Sequence, residues 1–455
     1  MSTPNDQLFV YVAIAGEDSP VLAAKVDIFH NEFRTEFTYA KSYKARDDAY
    51  ALDPINLPLT MLPRQPQPIT RSRYGHLDGA IGDAVQPGTW NKEAIKKHYH
   101  ATNLALPHTK ADWAIAGSGR GAGAIFVSRS KSALLRDAQS QAAPPEFDSL
   151  DDLQTTAIKM HINKPVDPIK SAYFMPGAGL DGQHPKAYVK DNDKHYIVKF
   201  NSPIEPFNTT KAEYVTMQMA KTAGCETPDT KLIETPKGDV LAVERFDINK
   251  TGQRQHMITA HSLINKYDIR EFNDVDMSYP NLNKIMQSTS DSDKQSQSEE
   301  IFRRMLVNVA ISNTDDHLRN HAFIQDEEGF RLSPVYDVAP QLALGSQRIA
   351  VGAYGGTPTV DNIAQCAKVL SIDSSRAREI SAQVLSATDD WERQLQNVGM
   401  EKNDIALLKP SFEARRYVEK YFEALPQPQL SISEFNKKLK GVKVTQDTKG
   451  LNLQT

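Results

Sequence analysis

A polar cluster at residues 313–320 has residue types and a spacing that could transfer a phosphoryl group. The cluster reads NTDDHLRN and is too polar to belong to a protein core. Asp315 and Asn320 are five residues apart, which is the separation between a general base and a metal-binding asparagine in phosphoryl-transfer loops. Asp337 follows after an apolar stretch and adds a second carboxylate that could bind a metal. Asp316 misses the five-residue spacing by one, so the pattern predicts Asp315 as the base and Asp316 as a cap of the turn.

Two other interpretations of the cluster stay open at the level of sequence. Asn, Asp and Thr are common in turns, so the cluster could be a turn without chemistry. His317 and His321 are four residues apart, as the zinc ligands of HExxH hydrolases are. Leu318 stands where such hydrolases carry the catalytic Glu, and no distant third ligand is evident, which argues against the hydrolase interpretation.

A helix and a hairpin are predicted on the two sides of the cluster. Upstream, apolar residues recur every three or four positions and indicate one buried helix face, formed by Ile301, Phe302, Met305, Leu306, Val309 and Ala310. Ser296 and Glu299 have the spacing of a capping box and predict the start of this helix. Downstream, apolar residues at 322–324, 330 and 332 predict a hairpin that ends just before Tyr336 and Asp337.

Residues 175–200 have the layout of a glycine loop followed by two strands. Gly177, Gly179 and Gly182 form a GxGxxG pattern, which is a weak signal by itself. A dinucleotide-binding fingerprint would need a helix directly after the third glycine, whereas a strand is predicted here from Lys186. Loop, strand, charged turn and strand is instead the order found at the glycine-rich loop of protein kinases.

Lys199 lies in the apolar run IVKF, at the position of the phosphate-binding lysine in that kinase layout. Such a lysine either extends its ammonium group to solvent or binds an anion, and the glycine loop nearby favours the anion. Glu213 has two equally favoured interpretations: it is the ion-pair partner of Lys199, or it completes a capping box that begins at Thr210. The extended run at 240–246 could face adenine with its backbone.

Composition describes an ordinary globular protein. The chain has 455 residues, 40% of them hydrophobic, which is enough for two or three domains with their own cores. A net charge of −4 with dispersed Lys and Arg argues against a broad nucleic-acid face. Two distant cysteines, the absence of a basic, apolar leader and the absence of a membrane-length apolar window predict a cytoplasmic protein.

Changes in composition along the chain predict five parts. These are an amino-terminal β-rich part at 1–135, a linker at 136–168, a nucleotide-binding part at 169–250, a helical catalytic lobe at 251–425 and a tail at 426–455. The polar stretch at 287–297 is predicted to be an exposed loop.

Several stretches together resemble the HipA family of bacterial toxin serine/threonine kinases. They are IFRRMLVNVAISNTDDHLRNHAFI with LSPVYDVAP around the polar cluster, AVERFD at 242–247, AEYVTMQMAKTAGCETP from Ala212, DMSYPNL at 276–282 and HPKA at 184–187. The resemblance extends over residues 8–425, and the stretch around the polar cluster is its most specific part.

The resemblance implies a bilobal, protein-kinase-like α+β fold with an amino-terminal β-rich lobe and a carboxy-terminal helical lobe. It implies ATP and Mg²⁺ as cofactors, with Asp315 as catalytic base and with Asn320 and Asp337 as Mg²⁺ ligands. The nucleotide would contact the glycine loop, two strand lysines, the adenine site and the metal loop, that is Gly177, Gly179, Gly182, Lys186, Lys199, Glu244, Arg245, Phe246, His317, Asn320, Tyr336 and Asp337.

The resemblance also implies partners. Members of the family pair with a small helix-turn-helix antitoxin of the HipB type, contact DNA only through it, and phosphorylate aminoacyl-tRNA synthetases. A kinase for a small molecule or a lipid, and a non-enzymatic partner of a DNA-binding antitoxin, are the alternatives.

The glycine loop departs from the family pattern. Members of the family commonly carry a serine in this loop, and its self-phosphorylation switches the enzyme off. Between Met175 and Lys186 this chain has no Ser or Thr, and the nearest Ser or Thr upstream is Ser171. We therefore expect no inactivating phosphate on the loop, and control through a partner or another site.

Overall fold

The computed structural model describes most of the chain. The described residues are 4–32, 34–59, 69–72, 77, 79–119, 121–131, 146–174, 185–201, 204–264, 277–326, 329–342 and 345–427. Of the predicted site residues, Gly177, Gly179 and Gly182 lie outside these ranges, as does the predicted tail beyond residue 427.

The amino-terminal part is built on a five-stranded antiparallel sheet. Its strands are β1 (Asp6–Val12), β2 (Val21–Phe29), β3 (Arg34–Tyr39), β4 (Ile69–Ser72) and β5 (Ile125–Ser128), in the order β4-β3-β2-β1-β5. Buried and partly exposed residues alternate along β3, which fits a sheet with one face on the core. The connections carry helices α1 (Lys41–Lys44), α2 (Ala80–Val85), α3 (Thr89–Ala101) and α4 (Lys110–Gly117).

Two helices follow where the sequence predicted a linker. They are α5 (Leu150–His161), inside the predicted linker, and α6 (Pro168–Ala172), at its end. The linker prediction is wrong for 150–161, because one face of α5 is apolar and buries Leu153, Ala157 and Met160. Two acidic residues of this polar stretch, Asp151 and Asp152, lie in the first turn of α5, where the helix dipole favours negative charge.

A second antiparallel sheet has four strands and packs against α5 and α6. Its strands are β6 (Lys186–Asp191), β7 (Lys194–Phe200), β8 (Thr230–Ile233) and β9 (Val240–Glu244), in the order β6-β7-β9-β8. The face carrying Ala187, Val189 and Val198 packs in one core with residues of α3 and α5. Side chains alternate along a strand, so Lys186 and Lys199 point to the opposite face. The helix between β7 and β8 is α7 (Thr209–Thr222).

The carboxy-terminal part combines a small sheet with a helical lobe. Strands β10 (His256–Thr259), β11 (Ala322–Asp326) and β12 (Gly329–Leu332) pair in that order, and β11 with β12 is the predicted hairpin. The helices are α8 (Ala260–Leu263), α9 (Tyr279–Thr289), α10 (Lys294–Ala310), α11 (Val360–Val369), α12 (Ser374–Thr388), α13 (Trp391–Asn397), α14 (Lys402–Glu413) and α15 (Arg416–Ala424). Helix α10 is the predicted helix, and its apolar face is fully buried.

The start of α10 differs from the prediction. The helix is capped by Asp293, whose side chain accepts hydrogen bonds from the backbone of Gln295 and Ser296, so Ser296 and Glu299 do not form the cap. The predicted exposed loop at 287–297 shrinks accordingly, because its first residues end α9 and its last residues lie in α10.

The amino-terminal and carboxy-terminal parts share one core and several buried hydrogen bonds. Apolar residues of β1, β2, α2, α10 and α12 belong to a single contiguous cluster. His256 Nε2 donates to the carbonyl oxygen of Leu52 at 2.8 Å, and Asn56 Nδ2 donates to that of Ser262 at 3.1 Å. The predicted α+β class is confirmed. Within the described ranges, no helix is both long enough and apolar enough to span a lipid bilayer.

Candidate active site

Lys199 contacts two carboxylates, one on the helix that follows its strand and one in the carboxy-terminal part. Its Nζ lies 2.6 Å from Glu213 Oε1 on α7 and 2.6 Å from Asp337 Oδ1 on the segment after β12. Glu213 is therefore the ion-pair partner of Lys199. The capping-box interpretation is wrong, because Asn208 caps α7 by accepting from the backbone N–H of Lys211.

The charges of Lys199, Asp337 and Glu213 affect one another's pKa values. Burial lowers the pKa of a lysine, but the carboxylates of Asp337 and Glu213 outweigh burial and raise the pKa of Lys199 above its ordinary value. Burial raises the pKa of Asp337, but the ammonium groups of Lys199 and Lys186 outweigh it and hold that pKa well below its usual range. For Glu213 burial dominates, so its pKa is raised. Asp337 is consequently an ionised carboxylate at neutral pH.

Lys186 stands beside Lys199 on the same face of the sheet. The two residues are direct partners in the β6–β7 register, and Lys186 is almost fully buried. Directly opposite residues on antiparallel strands lie close together on one face. The structure thus brings two lysines and the Asp337 carboxylate to one place.

The backbone holds Asp337 in an uncommon conformation. Its φ angle is +59°, in the left-handed region that few non-glycine residues occupy, although Asp tolerates it better than most. The carbonyl of the next residue, Val338, accepts from Thr216 Oγ1 of α7 at 2.5 Å, and Tyr336 on the other side donates to the Arg319 carbonyl at 2.6 Å. The segment is therefore tied to α7 and to the polar cluster, and both contacts help to fix the direction of the Asp337 side chain.

The two adjacent aspartates of the cluster differ in exposure and partners. The Asp315 side chain is 61% exposed, and its Oδ1 accepts from Arg348 Nη1 at 2.7 Å. Asp316 is buried, and its Oδ2 accepts from the Tyr279 hydroxyl at 2.5 Å and lies 3.0 Å from His321 Nε2. The expectation that Asp316 caps the turn through backbone N–H groups is wrong, because its recorded partners are buried side chains.

Asn320 and His317 are the remaining predicted site residues of the polar cluster. The backbone N–H of Asn320 donates to the His317 carbonyl at 2.8 Å, and the Asn320 side chain is buried. His317 lies near enough to Asp337 to lower the pKa of that carboxyl. His321 is buried, and its Nε2 is engaged by the Asp316 carboxylate. Within the described part of the chain, no group of three or more His, Cys, Asp or Glu residues could hold a metal ion.

The predicted adenine-site residues have three different environments. Glu244 accepts from Lys194 Nζ at 2.7 Å near the strand end. Arg245 is buried and pairs with Asp247 at 2.7 Å, so its charge is neutralised inside the protein. Phe246 packs its ring 5.5 Å from the ring of Tyr336.

The Phe246 and Tyr336 rings belong to a small apolar cluster with Ala122, Met257 and Ala322. The segments that follow β9 and β12 thus each contribute one aromatic ring to this cluster. Ala122 and Met257 carry no sequence signal for this position, because they lie outside the predicted motifs.

Two contacts to the polar cluster were not predicted. Arg319 Nη1 lies 3.5 Å from Asp83 Oδ1 of α2, and Arg348 pairs with Asp315. Asp83 has a signal in the sequence, since it is a single charge within the apolar run AIGDAV. Arg348 has none, because an exposed arginine in a loop is ordinary.

Part of this chain matches a family model. Residues 178–391 match the family model of the HipA-like C-terminal domain. A protein of Haemophilus influenzae named as a candidate kinase is 26% identical over 294 residues, covering 58% of this chain and 81% of that protein.

A solved structure shares the fold of this chain. The HipA toxin of Shewanella oneidensis MR-1, solved with HipB and operator DNA, is 14% identical, with a TM-score of 0.63 over 96% of this chain and 100% of that chain. The Helicobacter pylori proinflammatory kinase CtkA is 13% identical, with a TM-score of 0.39 over 53% of this chain and 91% of that chain. The bilobal architecture of this chain is that of the Shewanella protein.

Proposed function

We propose that this chain, a member of the HipA-like family through residues 178–391, is an ATP- and Mg²⁺-dependent serine/threonine protein kinase. The observation that carries the proposal is the Lys199 bridge to Glu213 and Asp337. Protein kinases require a strand lysine paired with a helix glutamate and a metal-binding aspartate in place before they transfer phosphate. The candidate-kinase name of the Haemophilus relative agrees with this function.

Lys199 and Lys186 would contact the phosphates of ATP, together with the loop of Gly177, Gly179 and Gly182. Asp337 and Asn320 would hold Mg²⁺, since an ionised carboxylate and a carboxamide oxygen are hard donors that suit this ion. Mg²⁺ supplies neutralisation of the phosphate charge when it is bound. His317, next to Asp337, would contact the same end of the nucleotide.

The adenine end would lie at β9 and its continuation, against the backbone of 244–246. The rings of Phe246 and Tyr336 offer an apolar surface there. Because the Arg245 side chain is engaged by Asp247, we expect it to support this segment from inside. Glu244 would contribute its backbone.

Asp315 would act as the catalytic base. Its side chain is exposed, so a serine or threonine hydroxyl on another protein can reach it. The carboxylate would orient that hydroxyl and accept its proton as the phosphoryl group leaves ATP.

We further propose a helix-turn-helix antitoxin of the HipB type as partner, with DNA contacted only through it, and an aminoacyl-tRNA synthetase as protein substrate. The Shewanella structure, which contains HipA, HipB and operator DNA, supports the choice of partner. The test is to look for a short helix-turn-helix reading frame next to the gene and to co-express its product with this chain. Co-purification of the two proteins supports the pairing, and the absence of such a frame or of co-purification counts against it.

The kinase proposal predicts different losses in two variants. Asp337→Ala removes a metal ligand and should weaken binding of Mg-ATP, whereas Asp315→Asn should leave Mg-ATP bound and lower phosphate transfer by about 10²- to 10⁴-fold. Binding is measured by calorimetry, and transfer by incubating γ-labelled ATP with the protein and a cell extract. Asp361→Asn, at an exposed site on α11, serves as the matched control. Two folded variants that transfer phosphate at the parental rate would overturn the proposal, as would label found on a small molecule or a lipid.

A further inference from the structure

Arg348 contacts the proposed catalytic base in an unusual setting for an ion pair. Its Nη1 lies 2.7 Å from Asp315 Oδ1, and both side chains are 61% exposed. Pairs this exposed contribute little to stability because water screens them and both side chains lose freedom. Stability therefore does not explain why the arginine stands at this place.

The backbone around Arg348 is fixed against the polar cluster. The N–H of Arg348 donates to the carbonyl of Thr314 at 3.1 Å, one residue before Asp315. Two residues later, Ala350 donates to the carbonyl of Met277 at 2.7 Å, and Ile349 between them is 1% exposed. The guanidinium thus extends toward solvent from an anchored segment whose backbone is bonded to the residue before the base.

The chemistry of a guanidinium fits the acceptor side of a phosphoryl-transfer site. Arginine stays charged at all relevant pH values, and its planar fork of N–H groups binds phosphate oxygens in pairs. Within the described residues, one side-chain hydrogen bond is recorded for Arg348, the one to Asp315. The remaining N–H groups are available to another anion at this place.

We propose that Arg348 is a catalytic residue that contacts the phosphoryl group during its transfer; this inference rests on the proposed kinase function. In the transfer, the bond between the γ-phosphorus and the bridging oxygen breaks and ADP leaves with its electron pair. The acceptor hydroxyl oxygen forms the new bond to phosphorus, and its proton passes to the Asp315 carboxylate. Arg348 remains protonated and neutralises charge on the equatorial oxygens, as arginine does in other phosphoryl-transfer sites.

The ion pair between Arg348 and Asp315 is then the state of the site before the acceptor binds. In the free protein Asp315 holds the guanidinium next to the position of transfer. When the acceptor hydroxyl donates a hydrogen bond to Asp315, the N–H groups of the Arg348 guanidinium donate to the phosphoryl oxygens. A lysine at the same position would keep the charge but lose the fork, so it should retain only part of the rate.

The test compares Arg348→Gln and Arg348→Lys with the parent and with Arg393→Gln. Arg393 is a suitable control, because it is also an exposed arginine paired with a nearby aspartate, Asp390, on a helix of the carboxy-terminal lobe. Transfer from γ-labelled Mg-ATP to the proteins of a cell extract is followed at varied ATP concentrations. We expect Arg348→Gln to lower kcat by about 10²- to 10³-fold with the KM for ATP unchanged, and Arg348→Lys to recover part of that loss.

Several outcomes would overturn the inference. Parental kcat in Arg348→Gln would show that the arginine does no catalytic work, and an increased kcat would show that it blocks the base. A loss shared by Arg393→Gln, or a changed affinity for Mg-ATP, would point to a general effect on folding or nucleotide binding. If the parent protein transfers no phosphate at all, the proposed kinase function fails and the role of Arg348 fails with it. A parent that transfers and a glutamine variant that matches it would reject the role of Arg348 alone.

Discussion

Asp315 and Asp316 are neighbours in sequence but occupy opposite environments. The first is exposed and bound by one surface arginine, while the second is buried and bound by Tyr279 and His321. Burial raises the pKa of Asp316, but His321 and the Tyr279 hydroxyl outweigh burial and lower it. Asp316 therefore ties the polar cluster to α9 and to His321, whereas the Asp315 carboxylate faces solvent.

We predict that substitutions at these two positions separate stability from chemistry. Asp316→Asn should lower the free energy of unfolding by about 1–3 kcal/mol, because a buried charged acceptor of two hydrogen bonds is lost. Asp315→Asn should change it by less than about 1 kcal/mol, as expected of an exposed ion pair. Urea unfolding of both variants provides the measurement. If Asp316→Asn abolishes turnover in a fully stable protein while Asp315→Asn keeps most of its rate, the register of the base is wrong.

Ser171 is the nearest Ser or Thr upstream of the glycine loop, and its surroundings exclude a phosphate. It is fully buried, donates to the Pro168 carbonyl at 2.8 Å, and lies 3.0 Å from His98 Nδ1. A phosphoserine carries about −1.5 to −2 charges and three acceptor oxygens, which do not fit a buried site with these partners.

We predict that Ser171 stays unmodified when the purified protein is incubated with Mg-ATP. Peptide mapping by mass spectrometry checks this, with Asp315→Asn as the control for phosphate added by contaminating kinases. Stoichiometric phosphate on Ser171, accompanied by loss of ATP binding, would contradict the prediction and would mean that α6 opens during regulation.

At the scale of elements, local patterns predicted the helix and the hairpin beside the polar cluster but not the start of the helix. The apolar spacing of 301–310 predicted α10, because a buried face leaves that pattern wherever the helix begins. The cap could not be chosen from sequence, since Asp293 and Ser296 are both good caps. The choice depends on contacts with α9, where Ser298 Oγ donates to Asn283 Oδ1 at 2.7 Å.

Helix α5 and the ion pair between Lys199 and Glu213 both depend on contacts between elements, which local sequence patterns do not show. Acidic residues interrupt the apolar pattern of α5 in the sequence. The apolar stripe packs against the four-stranded sheet, and the local pattern does not show this long-range contact. The sequence pattern around Glu213 likewise fits both an ion pair with Lys199 and a capping box with Thr210. The decision required knowing that α7 lies beside β7, which places Glu213 at Lys199.

Helix α2 supports the polar cluster through one buried carboxylate. Asp83 Oδ2 accepts from the backbone N–H and the hydroxyl of Thr259, each at 2.8 Å, and Oδ1 faces Arg319. A short helix of the amino-terminal part thereby fixes the end of β10 and a residue adjacent to Asn320.

We predict that Asp83→Ala lowers the free energy of unfolding by about 1–3 kcal/mol, because the Thr259 N–H loses its buried partner. Asp83→Asn keeps one acceptor oxygen and should lose less. Both are measured by urea unfolding, with Asp361→Asn as the exposed control. Equal stability of the alanine variant and the parent would show that this contact does not hold the two parts together.

At the scale of the whole molecule, the amino-terminal part and the catalytic part form one structural unit. His256 of β10 stands at their junction, 1% exposed, between the rings of Tyr50 and Phe330 at centroid distances of 5.5 and 5.8 Å. Its Nε2 donates to the Leu52 carbonyl, and its Nδ1 is buried without a hydrogen-bond partner in the described part of the chain. Burial lowers the pKa of His256 to about 4, with the Leu52 hydrogen bond opposing that shift.

This junction should make the stability of the protein depend on pH. The unfolded chain protonates His256 below about pH 6.5, whereas the folded chain does so only near pH 4, so the folded state loses stability as the pH falls between these values. The loss from this one group is on the order of 3 kcal/mol and is absent above about pH 6.5. We predict that His256→Gln flattens the fall in unfolding free energy between pH 6.5 and 4, even though its stability at pH 7.5 is lower. Urea titrations at several pH values compare it with the parent and with His100→Gln, at an exposed position on α3, because titrations shared by all three proteins cancel in the difference. The same slope in all three would show that protonation at this junction does not couple the two parts of the molecule.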